Sequence, residues 1–221
     1  MAPPPQILTT RVLLLGGSVI ARWPTPPAAW TNAGEDGATT CRVAEILAAR
    51  CDADEHTGAV LYVGSNDAMH LSDTPEQVAR RILALQAAIP TKWVAYVHII
   101  QSPRIQMTLL SDFVATVNAY VERFADRSRV VCIELPCSFL NGDFTFDLLH
   151  LSGKVYKRLV TCITNAAAPL AAAAEADRKC YGAARRPRTR RRHHEHSPRA
   201  HAARARRPRS RRRRLSRRVS R

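Results

Sequence analysis

Residues 11–18 read RVLLLGGS: an unbroken apolar run, Val12–Leu15, stops at Gly16-Gly17 and is followed by Ser18. A strand with one wet face alternates polar and apolar residues, so a short continuous run bounded by glycines reads as a strand covered on both faces. The pattern returns three times. Ala59–Val63 ends at Gly64, Trp93–Ile100 runs into Gln101-Ser102-Pro103, and Val130–Leu135 ends at Pro136. Between these runs the apolar residues recur at helical spacing. Val43, Ile46 and Leu47 mark a helix over Thr39–Arg50. Val78, Ile82, Leu85 and Ile89 mark a second, opened by Thr74 as cap, Pro75 in the first turn and Gln77 completing a capping box, and stopped by Pro90. Leu109 to Phe124 and Ser152–Asn165 carry the same periodicity. Strands that alternate with helices pair in parallel through right-handed crossovers. The expected fold is a three-layer α/β/α sandwich with at least four parallel strands, and a fifth near Ala28–Thr31.

The charge is split along the chain. The 221 residues hold 34 Lys and Arg against 18 Asp and Glu, a formal +16. Residues 181–221 hold 18 Arg, no Lys and one acid, Glu195, so they carry +17 and residues 1–180 carry −1. A basic nucleic-acid surface spread over the whole fold is thereby excluded. The organisation expected is an N-terminal extension over 1–9, an α/β domain over 10–175 and an Arg-rich tail over 176–221. Residues 183–221 have too little apolar surface to offset the entropy of ordering, which predicts disorder. The Arg runs at 185–192 and 204–218 fit a nuclear-localisation signal or a tether to nucleic acid or another polyanion. No aromatic residue follows Tyr181, so such binding would be blind to sequence.

Val12–Leu15 is too short for a signal-peptide core, and no basic residue precedes it, so the chain is expected to be intracellular, cytoplasmic or nuclear. The apolar stretches are too short for a membrane span, and Ala166–Ala174 is interrupted by Pro169. Six cysteines without a CxxC pair are expected to remain thiols and to pack as small buried hydrophobes. A nucleotide-binding reading of the glycine-rich start fails, because neither GxGxxG nor GxxxxGK[ST] occurs.

In open parallel sheets the chemistry sits at the carboxyl ends of the strands. Gly16-Gly17-Ser18 follows the first strand, Gly64-Ser65-Asn66-Asp67 the next clear one, and Asp147-Leu148-Leu149-His150 precedes the last helix. A serine, an asparagine and an Asp/His pair form the inventory of an acyl-transfer site: nucleophile, oxyanion donor, base and orienter. His98 in its apolar run reads as a satisfied core histidine, His56 as a solvated loop residue, and Trp23 and Trp30 as aromatic packing.

These segments resemble the SGNH hydrolases, the GDSL esterase/lipase superfamily, from about Arg11 to Leu159. LLLGGSVIARWP resembles the first block, whose serine is the nucleophile. NAGEDGATT resembles the second, LYVGSNDAMH the third, and DLLHLSGKVYKRL the fifth. Each block alone is weak; four in order at the ends of the proper elements are strong together. The resemblance implies a flavodoxin-like parallel sheet of about five strands. It makes Ser18 the nucleophile, His150 the base and Asp147 its orienter, with an oxyanion hole from Ser18, Gly37 and Asn66. Asp67 and Arg104 are expected in loop support or at the substrate rim. The implied reaction is hydrolysis of a small acyl ester, with no metal or cofactor. The usual first block is Gly-Asp-Ser, and Gly17 stands here in place of the Asp, a supporting residue. That departure and the basic tail motivate an alternative, an impaired SGNH-like protein acting as a polyanion-binding module.

Overall fold

The computed structural model describes residues 9–184 apart from Leu71 and Leu109. The tail beyond 184, and with it the expected disorder and polyanion binding, lies outside the described residues, as do residues 1–8. Five strands form one sheet: β1 (Val12–Gly16), β2 (Trp30–Asn32), β3 (Gly58–Tyr62), β4 (Trp93–Val97) and β5 (Val130–Ile133). The order is β2-β1-β3-β4-β5 and every pairing is parallel. The short strand expected near Ala28–Thr31 is β2, starting two residues later.

The helices are α1 (Ser18–Ala21), α2 (Thr40–Ala48), α3 (Ser65–His70), α4 (Pro75–Ala88), α5 (Pro103–Gln106), α6 (Leu110–Phe124) and α7 (Gly153–Ala184). The continuous apolar runs are covered on both faces, as a parallel sheet demands. Leu13, Leu15, Ala59, Leu61, Val94 and Tyr96 face a layer that includes Val43 of α2, Val78 and Ile82 of α4 and Val117 of α6. Val12, Leu14, Val60, Tyr62, Ala95 and Val97 face Val19 and Ile20 of α1 and Val155, Leu159 and Ile163 of α7. The capping box at the head of α4 is formed in full: Thr74 Oγ1 accepts from Gln77 N and Gln77 Oε1 from Thr74 N.

Three expectations change. The last helix does not end at Asn165 but continues through Pro169 to Ala184, across the boundary placed at 175. Proline removes one N–H from the helix, a loss the Ala-rich surroundings tolerate because Ala has the best helix propensity. The side chain of Lys92 also donates to the Ala174 carbonyl at 3.0 Å, anchoring this stretch. The segment Gly153–Asp177 is thus long and apolar enough to cross a membrane by length and composition. Its buried face, from Val155 to Ala167, packs on the sheet as that of a core helix does. His56 is buried rather than solvated, its ring bonded to Asp52 O and Thr31 Oγ1. Cys41 and Cys51 are exposed, whereas Cys132, Cys137 and Cys162 are half-buried; all five are free thiols. Beyond β4, Ser102 caps the one-turn helix α5.

Candidate active site

The strand order reverses at β1, whose neighbours are β2 on one side and β3 on the other. In sheets of this order the crevice at that switch point is where ligands lie. Ser18 opens α1 directly after β1, and Asn66 lies in the first turn of α3 after β3. The two strand ends are stitched together by the Gly17 N–H, which donates to Tyr62 O at 3.2 Å. Ser18 and Asn66 line one cavity of about 20 Å³, walled by Tyr62, Ile100, Ile105 and Leu149. A larger apolar cavity of about 470 Å³ lies between α2 and α4, lined by Ala44, Leu47, Ala84 and Leu85; Ser18, Asn66, Asp147 and His150 are not among its lining residues.

A turn at Glu35–Ala38 supplies the next part. Ala38 N donates to Glu35 O at 3.1 Å, and Glu35 N to Gly16 O at 3.0 Å, which fixes the turn against the end of β1. Gly37 has φ of 75°, a conformation L side chains rarely adopt, so glycine is favoured there. Asn66 Nδ2 donates to Ala38 O at 3.0 Å, which leaves the second N–H of that amide uncommitted. Among the described residues no protein acceptor takes the backbone N–H of Ser18 or of Gly37.

The third part is the segment ahead of α7. Phe144 bridges Leu151, Thr145 N donates to His150 O at 2.7 Å, and Ser152 N to Asp143 O at 2.8 Å. Asp143 is itself buried and holds the base of the loop through Ser138 N at 2.9 Å and Arg158 at 3.0 Å. At the tip Leu148 has φ of 57°, unusual for a residue with a side chain. Asp147 Oδ1 accepts from Thr145 Oγ1 at 2.7 Å and from the N–H groups of Leu149 and His150 at 3.0 Å. Asp147 Oδ2 lies 2.5 Å from His150 Nδ1. Partial burial works against the carboxylate, yet the donors from His150, Thr145 and Leu149 together hold its pKa well below the usual range. With Nδ1–H committed to Asp147, Nε2 is the basic nitrogen of the ring.

The structure therefore joins Asp147 to His150, and Ser18 to Asn66, at one edge of the sheet. Ser18 Oγ makes no hydrogen bond with His150. Contacts between the two halves include Leu149 in the wall of the Ser18 cavity, Tyr156 Oη donating to Val19 O at 2.9 Å, and Arg22 Nη1 at 3.3 Å from His150 Nδ1. Position 17 also has an explanation. A Cβ built on Gly17 would lie 2.9 Å from Asn66 Nδ2 and 3.3 Å from Ala38 O, so the Asn66 amide fills the space a larger residue would need.

Asp67 and Arg104 both take supporting positions. Asp67 is buried and does not bind its own loop: it accepts from Thr40 N at 2.9 Å and Thr40 Oγ1 at 2.6 Å, fastening the start of α2. Arg104 is exposed and acts through its backbone, donating to Leu148 O at 3.3 Å. Three contributors escape a reading by motif: Arg22, Asp36 and Thr145. Each has a local signal, since Arg22 lies one helical turn beyond Ser18, Asp36 precedes Gly37, and Thr145 stands two residues before Asp147.

His98 is half-buried at the end of β4, with Nε2 3.0 Å from Glu122 Oε2, and its ligand atoms and those of Glu122 and Cys132 lie within 4.8 Å of one another. The set is a poor cation site. Arg127 already pairs with Glu122, and burial, aided by Glu122, pushes the Cys132 thiol up to about 12. Trp23 and Trp30 are buried and packed edge to face at 6.0 Å, as aromatic packing predicts.

No protein-family profile matches the chain, and no curated protein matches it. Solved structures do. A family 3 carbohydrate esterase of Clostridium thermocellum is 14% identical with a TM-score of 0.60, covering 74% of this chain and 98% of its own. A GDSL-like lipase of Bacteroides thetaiotaomicron is 18% identical at 0.59, covering 75% of this chain and 91% of its own. A member of the lipolytic G-D-S-L family from Veillonella parvula is 16% identical at 0.58, covering 70% and 96%. The five parallel strands, their order and these likenesses together show that the chain has the fold of the SGNH hydrolase, or GDSL esterase/lipase, superfamily.

Proposed function

We propose that the protein is a serine esterase that hydrolyses small acyl esters. The observation that carries this reading is the Asp147–His150 pair held at the same sheet edge as the cavity that Ser18 and Asn66 share. A serine hydroxyl is a weak nucleophile at neutral pH and needs a base as it attacks. His150 would take that proton at Nε2 while Asp147 holds the ring and stabilises the imidazolium. The bond from Ser18 to His150 would close as the ester arrives, since hydrogen bonds of this kind commonly tighten only with the reacting group in place. Negative charge on the carbonyl oxygen would be met by the N–H groups of Ser18 and Gly37 and the second N–H of Asn66. His150 then protonates the leaving alcohol, and water releases the acyl group from Ser18.

The named activities of the structural neighbours, a carbohydrate esterase and a GDSL-like lipase among them, support ester hydrolysis as the reaction class. The cavity of about 20 Å³ beside Ser18 supports acetyl-sized acyl groups over long chains. The purified protein should release alcohol from a short aryl acetate. Ser18→Ala should abolish this, by about 10⁶ in turnover if it resembles other serine hydrolases. Full activity in Ser18→Ala would overturn the assignment. The +17 of residues 181–221 favours a compatible second property, binding of a polyanion. It predicts salt-sensitive retention on nucleic acid that is lost when the chain stops at Tyr181.

A further inference from the structure

Arg22 stands between the Gly37 turn and the Asp147–His150 loop, which no hydrogen bond joins directly among the described residues. It follows α1 as its C-cap, its backbone N–H donating to Ser18 O at 2.9 Å. Its Nε lies 3.0 and 3.2 Å from the two carboxylate oxygens of Asp36, the residue before Gly37. Its Nη1 lies 3.3 Å from His150 Nδ1. That last contact is not a hydrogen bond if Nδ1–H is given to Asp147, because the nitrogen then has no lone pair to accept with. What draws the guanidinium there is charge: Asp36 and Asp147 both attract it and raise its pKa, Asp36 foremost.

We propose that Arg22 is a positioning residue that ties the Gly37 turn to the Asp147–His150 loop, so that donor and base keep one geometry relative to Ser18. The inference rests on the esterase reading. Three features support a functional role over an incidental surface pair. Arg22 and Asp36 are each about half exposed, at 51% and 55%, and an ion pair so solvated contributes little to folding. The planar fork of arginine can hold Asp36 through Nε and still present Nη1 to the histidine, which a lysine ammonium cannot do. The three segments it touches are also the three that carry the proposed nucleophile, the proposed Gly37 donor and the proposed base. A displacement of about 1 Å at such groups can cost on the order of 10² in rate.

The test compares Arg22→Gln, Asp36→Asn and the double variant on an aryl acetate. Thermal midpoints and fluorophosphonate titration count the folded, competent enzyme. Arg22→Gln should lower kcat at least tenfold while KM changes less than about twofold, because the ester's own contacts are untouched. Asp36→Asn should lose a similar factor. The double variant should fall no further than the worse single one, since both remove the same tie. Arg22→Lys should recover only part of the loss. Wild-type kcat in Arg22→Gln, or losses in the single variants that multiply in the double, would overturn the proposal. If Arg22→Gln fails to fold, Asp36→Asn decides alone: wild-type kcat there also overturns it. Ser18→Ala separates the two claims. Activity retained in Ser18→Ala sinks the esterase reading, whereas activity lost there but kept in Arg22→Gln sinks only the role of Arg22.

Discussion

The amide of Asn66 stands where a side chain on Gly17 would go, with 2.9 Å between Nδ2 and the position of that Cβ. The two residues belong to different strand ends, and the Gly17 N–H bond to Tyr62 O holds those ends together. The departure from Gly-Asp-Ser is therefore coupled to the seat of Asn66. Gly17→Asp, which restores the usual residue, should lower activity instead of raising it. The new Cβ meets the end of a side chain, so the fold yields by moving Asn66 and the thermal midpoint should change little. Loss of one oxyanion donor costs about 10²–10³ in kcat, which bounds the effect. Steady-state kinetics beside a melting curve check it; faster turnover in Gly17→Asp would show that Asn66 is not the donor.

Much of this was legible because period and punctuation are local. Val12–Leu15 and Ala59–Val63 announce buried strands by lacking alternation, and Thr74–Gln77 announces a helix start by its own side-chain chemistry. The places of Ser18 after β1 and of Asn66 after β3 were legible for the same reason, whereas Gly37 was offered only by the resemblance. The roles of Asp67 and His56 were not, since each is decided by a partner far along the chain: Thr40 for Asp67 and Thr31 for His56. The end of α7 is not legible, because the apolar periodicity that marks the helix fades after Ile163 into Ala-rich sequence that stays helical through Pro169.

Asp67 gives a stability prediction. Its carboxylate is buried and accepts both the N–H and the hydroxyl of Thr40, with Arg81 at 3.4 Å. Asp67→Ala leaves those donors without an acceptor at the start of α2. Unsatisfied buried groups of this kind cost about 1–3 kcal/mol each, so for the two donors a loss of roughly 2–6 kcal/mol is expected. Urea unfolding at neutral pH measures it. A change below about 0.5 kcal/mol would mean that water replaces the carboxylate at no cost.

The cavity beside Ser18 gives a specificity prediction. Ile105, on the one-turn helix α5, is 3% exposed and walls that space. Ile105→Ala should admit a longer acyl chain, and each methylene accommodated in an apolar pocket is worth about 10–200-fold. The ratio of kcat/KM for butyrate over acetate esters should rise about tenfold or more. The substitution costs about 2–5 kcal/mol of packing, so the ratio, which does not depend on the folded fraction, is the proper readout. An unchanged ratio would place the acyl group elsewhere.

Asp147 gives a dependence on acid. Its pKa in the folded protein is depressed by the donors of His150, Thr145 and Leu149 acting against partial burial. A carboxyl whose folded pKa lies below its unfolded value, about 3.9, binds a proton more readily once the chain unfolds. The stability it contributes is therefore fully present above that unfolded value and is lost as pH falls through the folded one. The side chain is 43% exposed, so the contribution is screened and modest. Wild type should be more stable than Asp147→Asn above about pH 5, and the margin should shrink steadily below about pH 4. Denaturant midpoints of both proteins across that range test the sign. A margin that grew as pH fell below about 4 would mean that the hydrogen bonds around Asp147 favour its neutral form, and the orienting role given to its charge would fall with it.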